Sequence, residues 1–175
     1  MEKYEDEKSG IIRESVGEAI LKLLQIRAFD DISVCDICRK AGVGRTTYYR
    51  YYGNKNGKED AVYHWFINRW EDSTEHRELS LSDTDEAFLS FVYSVRHELR
   101  LLRDNRLIHI LDSFILHIYG PTGEEAANTG LYYVKYAGAG LWMGAIRAIL
   151  YRDFGDSKEE MKQQFQEALA CLKSI

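Results

Sequence analysis

The 175-residue chain has a single proline, Pro121, and only three cysteines, Cys35, Cys38 and Cys171. With one proline, almost every backbone N–H can join a helical ladder, and the wealth of Leu, Ile, Ala, Glu, Lys and Arg predicts an almost wholly helical protein. So few cysteines exclude a disulfide framework. The charged opening Met1-Glu2-Lys3-Tyr4-Glu5-Asp6-Glu7-Lys8 holds no apolar leader, so a reduced, cytoplasmic protein is expected.

Catalytic signatures are missing too. There is no glycine-rich phosphate loop after a strand, no nucleophile elbow and no paired-histidine metal motif. His64, His76, His97, His109 and His117 are scattered over separate amphipathic segments. No catalytic residue, cofactor or metal is expected, and a helical enzyme using His97 or His109 is the weakest rival. Cys35-Asp36-Ile37-Cys38 matches C-x-x-C. No second cysteine pair or nearby histidine completes a zinc site, and no strand precedes it as a thioredoxin-like motif requires. A buried Cys38 and a part-exposed Cys35 are expected, with thiol sensing left as the alternative.

An uncharged hydrophobic run long enough for a bilayer is absent as well. Leu131 to Leu150 comes nearest, but it contains Lys135 and Arg147. Each would cost about 2.5–3.5 kcal/mol at a bilayer centre, so a buried helix and no membrane partner are expected.

The formal charge of −5 is unevenly spread. From Ser33 to Lys58 the chain carries Arg39, Lys40, Arg45, Arg50, Lys55 and Lys58 against Asp36 alone, a surplus of five cations, which leaves a surplus of ten acids elsewhere. A basic patch on an acidic body suits a protein that grips phosphates at one end.

Within that patch, Ser33 can cap a short helix whose Val34, Ile37, Cys38 and Ala41 recur at the spacing of a buried stripe. Gly42 supplies a left-handed stop, and a second short helix follows from Arg45. Two helices joined by so short a glycine turn form a helix-turn-helix, whose second helix enters the DNA major groove. Tyr48 and Tyr52 are expected to face the core, and Tyr49 and Tyr51 the backbone phosphates. A preceding helix is expected from about Glu7 to Arg27, with Ile12, Val16, Ile20, Leu23, Leu24 and Ile26 in its stripe, and a fourth from about Lys58 to Arg77. Later helices are expected from about Asp85 to Asp104, Arg106 to Tyr119, Glu124 to Tyr151 and Ser157 to Leu172. Gly120-Pro121-Thr122-Gly123 is the clearest break. The fold class is therefore all-α: an N-terminal three-helix domain over residues 1–56 and a C-terminal helical bundle over residues 57–175.

Ser33, Asp36-Ile37, Ala41-Gly42-Val43, Thr47, Tyr49, Tyr52 and Asn54-Lys55, with Phe29 before them, resemble the TetR family of bacterial transcriptional regulators. Gly140-Leu141-Trp142-Met143-Gly144 and the following Ala145 to Leu150 are similar to a helix in the branch that contains activators of dihydroxyacetone utilisation. The resemblance implies a homodimeric, ligand-responsive regulator, more often a repressor, that dimerises through the C-terminal helical bundle and binds double-stranded operator DNA. Arg45, Thr46 and Thr47 would face base edges, and Ser33, Tyr49, Tyr51 and Lys55 would hold phosphates, with Gly44 and Arg50 on the same surface. This chain departs from the pattern at three places. Gly44 stands where a serine commonly caps, Thr46 replaces a frequent glycine or proline, and Cys35 takes a position that can carry a base-contacting arginine.

The small residues Gly138, Gly140 and Gly144 point to a close helix-to-helix seam, expected at the dimer interface. A pocket for a small amphipathic or aromatic effector is expected from Trp65, Phe66, Trp70, Phe91, Phe114, Tyr132, Tyr136 and Trp142, and its occupation would move the fourth helix. The rival from another class is a ligand-free helical interaction module or co-activator of the same fold.

Overall fold

A computed structural model describes the backbone at residues 2–74 and 81–172, and side chains at 9–74, 85–125 and 127–167. Every regular element among the described residues is helical. The α-helices are α1 (Glu2–Leu24), α2 (Val34–Ala41), α3 (Arg45–Tyr52), α4 (Gly57–Thr74), α5 (Leu81–Ser94), α6 (Arg96–Asp104), α7 (His109–Tyr119), α8 (Thr129–Tyr151) and α9 (Lys158–Leu172). Short 3-10 turns lie at Phe29–Asp31 and Glu125–Ala127. No helix among the described residues is long and apolar enough to cross a membrane.

The chain divides into two compact units, Met1–His76 with Leu101–Phe114, and Arg77–Arg100 with Ile115–Ile175. In the first, α1 packs on α4, with α2 and α3 closing the other side. Val16, Ile20, Ile37, Tyr48, Tyr52, Val62 and Phe66 make its core. The α1–α4 contact is unusually close. A Cβ placed on Gly17 would lie 2.6 Å from Trp65 Cβ and 2.7 Å from the Ala61 carbonyl oxygen, so only a glycine lets these backbones meet. Arg69 locks the same seam, pairing with Glu14 at 3.2 Å while lying over the Trp65 ring.

In the second unit, Phe88 lies edge-on to Trp142 and Tyr119, 4.9 and 5.1 Å between ring centres. Tyr119 and Trp142 both donate to Asp85, at 3.1 and 3.2 Å. Lys158 and Lys162 of α9 hold Glu86 of α5. The turn from α8 to α9 places Asp153 and Phe154 at φ 52° and 57°, a left-handed pair without glycine. Arg100 holds it, pairing with Asp153 at 2.9 Å and lying over the Phe154 ring.

Several boundaries differ from the sequence expectation. α1 ends at Leu24, so Ile26 falls in the following turn and is 74 % exposed instead of joining the buried stripe. The expected single helix up to Asp104 is interrupted at Val95, although Val95 and Leu99 keep their helical N–H bonds. α5 begins by Leu81, ahead of the expected start. Arg106 adopts φ 61° and delays α7 to His109.

Candidate nucleic-acid interface

Ser33 begins α2 as read from the sequence, its Oγ accepting from Asp36 N–H at 3.1 Å and donating to Asp36 Oδ2 at 2.7 Å. Arg27 and Arg39 flank the same carboxylate at 3.1 and 3.2 Å. Ser33 above all, then the two arginines, holds the Asp36 carboxyl below its ordinary value. At the other end Gly42 takes φ 70°, and Val43 N–H closes back on the Cys38 carbonyl at 3.1 Å. The chain then turns into α3, where Gly44 occupies the N-cap without a side-chain bond.

α3 has two faces. Tyr48 and Tyr52 are 2 % exposed and pack inward, and burial pushes the Tyr48 phenol up to about 12. Arg45, Thr46, Tyr49 and Arg50 are exposed on the opposite side, with Thr47 and Tyr51 half-buried beside them. Arg13 of α1 lies over the Tyr51 ring at 5.6 Å, which adds a cation beside this face. Lys55 stands exposed in the turn after α3. That turn is fixed by Asn54, whose Oδ1 accepts from Asn56 N–H at 2.8 Å and whose Nδ2 donates to Asp60 at 2.8 Å.

Residues 18–57 match the family of bacterial regulatory proteins, tetR family. This segment is similar to the helix-turn-helix domain of that family. A protein of Mycobacterium tuberculosis named as a mycofactocin biosynthesis transcriptional regulator, MftR, is 42 % identical over 41 residues, 23 % of this chain and 21 % of that protein. The chain thus spans about one fifth of that relative's length. No solved structure matches the chain. The family match ends before Gly140, so it does not bear on the resemblance of α8 to a particular branch.

The helix-turn-helix domain also contains contacts that sequence reading missed. Lys58, counted within the basic patch, turns inward: its Nζ donates to the Phe29 and Ile32 carbonyls at 2.8 and 3.2 Å and lies over the Phe29 ring. It ties α4 to the 3-10 turn and adds little to the phosphate-facing surface. Arg45 donates to Cys35 Sγ at 3.1 Å, a cross-link between α2 and α3 that spacing alone does not reveal. Among the described residues the buried Tyr52 Oη has no hydrogen-bond partner, and its ring lies 5.9 Å from that of His64 at a tilt of 50°.

The eight aromatic residues expected to line a pocket divide evenly between the units. Trp65, Phe66, Trp70 and Phe114 are buried in the first, where Phe66 meets Phe114 and Trp65 at 5.7 and 5.0 Å. Phe91, Tyr132, Tyr136 and Trp142 belong to the second. There Trp142 lines a cavity of about 420 Å³ with Asp85, Leu89, Met161 and Phe165. Among the described residues nothing packs within 4 Å of a Cβ built on Gly138, Gly140 or Gly144. Gly140 and Gly144 are exposed, as are Tyr133, Val134, Tyr136 and Leu141 of the same helix, whereas Gly138 is half-buried and turned toward the buried side with Ala145 and Ile149. Among the described residues no group of three or more His, Cys, Asp or Glu is arranged to hold a metal ion.

Proposed function

We propose that the chain is a sequence-specific transcriptional regulator that binds operator DNA as a homodimer and acts as a ligand-released repressor. The observation that carries this reading is the polar outer face of α3, where Arg45, Thr46, Tyr49 and Arg50 stand exposed above a tyrosine core. The TetR-type match and the regulatory role named for the relative support it.

Arg45 reads a base edge in the major groove, where its planar guanidinium matches the two acceptors of guanine. Thr46 and Thr47 contact neighbouring bases or sugars. Tyr49, Tyr51, Arg50 and Lys55 grip the phosphates on either side, and Ser33 and Gly44 set the starts of the two helices against the backbone. A second copy joins through the open face of α8, where the exposed Gly140 and Gly144 admit a helix at short range beside Tyr133 and Leu141, with Gly138 at the inner edge of the seam. Repression needs only occupancy of the promoter, which this architecture supplies without a further activating surface.

The effector is a small amphipathic or aromatic molecule, taken up within the second unit at the cavity beside Trp142. Paired recognition helices serve successive grooves only when about 34–36 Å apart, so a ligand that favours another spacing releases the operator.

The test is duplex capture by the purified chain from a random library, followed by titration at several salt concentrations. Affinity should fall steeply with salt, and Lys55→Ala should weaken all duplexes alike while flattening the salt slope by about one unit. A chain that selects no duplex at low salt would instead be a helical interaction module.

A further inference from the structure

Base reading leaves the thiols of Cys35 and Cys38 without a part to play. Cys35 lies in the first turn of α2 and is partly exposed. Two guanidinium groups converge on its sulfur: Arg45 from α3 at 3.1 Å and Arg39 from the next turn of α2 at 3.8 Å. The hydrogen bond from Arg45, above all, draws the Cys35 thiol below its ordinary value. Cys38 is its opposite, 6 % exposed within the core, where burial pushes the thiol up. One helical turn thus joins an accessible sulfur whose anion the two arginines favour to a buried thiol that resists ionising. The thiolate is the nucleophile in thiol redox chemistry, and an electropositive, part-exposed setting is where reactive cysteines occur.

We propose that Cys35 and Cys38 form a peroxide-responsive dithiol whose oxidation frees Arg45 from α2 and lowers affinity for DNA. This output rests on the DNA-binding reading above, whereas the thiol chemistry does not. The Cys35 thiolate attacks the distal oxygen of a hydroperoxide and the O–O bond breaks. The leaving alkoxide or hydroxide takes a proton from water, and Cys35 becomes a sulfenic acid. The Cys38 thiol then attacks that sulfur. An S–S bond forms, the S–O bond breaks, and the hydroxyl leaves as water with the Cys38 proton. Two electrons pass from the cysteine pair to the peroxide.

The second step is what moves the interface. Residues three apart on a helix hold their Cβ atoms about 5–6 Å apart, whereas a disulfide needs about 3.5–4.5 Å. Closing the bond therefore distorts the first turn of α2 and draws Cys38 out of the core. The turn that distorts also carries the Ser33 cap and the Asp36 pairs with Arg27 and Arg39. Arg45 loses its hold on the Cys35 sulfur at the same time, because a disulfide sulfur carries no charge and cannot ionise.

The test uses the full chain carrying Cys171→Ser, so that no third thiol competes. Reduced and hydrogen peroxide-treated samples are compared on a duplex that the reduced protein selected. Arg27 and Arg39 bound a single tryptic peptide, residues 28–39, that contains both cysteines. After treatment this peptide should lose two hydrogens, and affinity should fall about tenfold, with both changes reversed by dithiothreitol. Cys38→Ala should stop at a sulfenic acid trapped by dimedone, and Cys35→Ser should show no peroxide response from whatever affinity it starts. If the peptide keeps its hydrogens, or loses them while affinity holds, the dithiol is overturned. Failure of the reduced protein to select a duplex would count against the DNA-binding reading instead, and the peptide mass would still judge the thiol chemistry.

Discussion

Replacing Gly17 by alanine adds one methyl group where the first unit has no room for it. The new Cβ would sit 2.6 Å from Trp65 Cβ and 2.7 Å from the Ala61 carbonyl oxygen. Neither neighbour can rotate away, since one is backbone and the other is the fixed root of a ring that also contacts Phe66 and Arg69. The helices must separate by roughly 1 Å to restore ordinary contact, and overpacking of this kind costs about 1–3 kcal/mol. Alanine recovers about 1 kcal/mol through its better helix propensity, and because neither obstacle can yield the overpacking falls in the upper part of its range, about 2–3 kcal/mol, so the net loss should be about 1–2 kcal/mol. For a chain of this size that lowers Tm by about 2–8 °C. The assay is thermal unfolding followed by circular dichroism, with Gly10→Ala of the same helix as the control. Among the described residues nothing lies within 4 Å of a Cβ built at that position, so alanine there should not lower the stability of the unit. A Gly17→Ala protein that melts at or above the parent temperature would refute the close approach of α1 and α4.

Arg45→Ala should cost about 1–3 kcal/mol on the selected duplex and much less on random DNA, measured by competition titration; equal losses would make Arg45 a phosphate contact. Asp36, with its carboxyl pKa lowered by Ser33 and the two arginines, stabilises the fold above its unfolded value, and that contribution disappears as pH falls through the folded one. Acid unfolding of Asp36→Asn should therefore depend less steeply on pH below about 4, and an unchanged profile would remove Asp36 from the list of stabilising groups. Gly140→Leu should leave a folded monomer with parental helix content, seen by sedimentation and circular dichroism, and a dimer that survives the change would place the seam elsewhere.

What could be read in the sequence is what local chemistry dictates. Ser33 and Gly42 bracket α2 because a hydroxyl caps one end and a left-handed residue ends the other, and each acts within a few residues of itself. The inward tyrosines of α3 follow from helical spacing alone. The misses are long-range. Gly17 resembles any helical glycine until α4 is laid against it, 44 residues from Ala61 along the chain. Lys58 counts as surface charge until its ammonium is found on the carbonyls of Phe29 and Ile32. The interruption at Val95 has neither glycine nor proline to announce it, and the helical N–H bonds that run across it leave no polar signature. The aromatic residues were sorted by type, but type does not say into which unit a ring will pack.

The bare N-cap of α3 has a consequence for how recognition is timed. Gly44 offers no side-chain oxygen, so the amides of the first turn carrying Arg45 and Thr46 are left to water in the free protein. A phosphate oxygen can accept from such amides and meets the positive end of the helix as it does so. On DNA the missing cap would then come from the duplex, and the helix that reads the operator would be at its firmest only once the operator is in place. Selectivity would gain from this, because a site that sets the backbone phosphate slightly out of line both loses a contact and leaves the reading helix frayed.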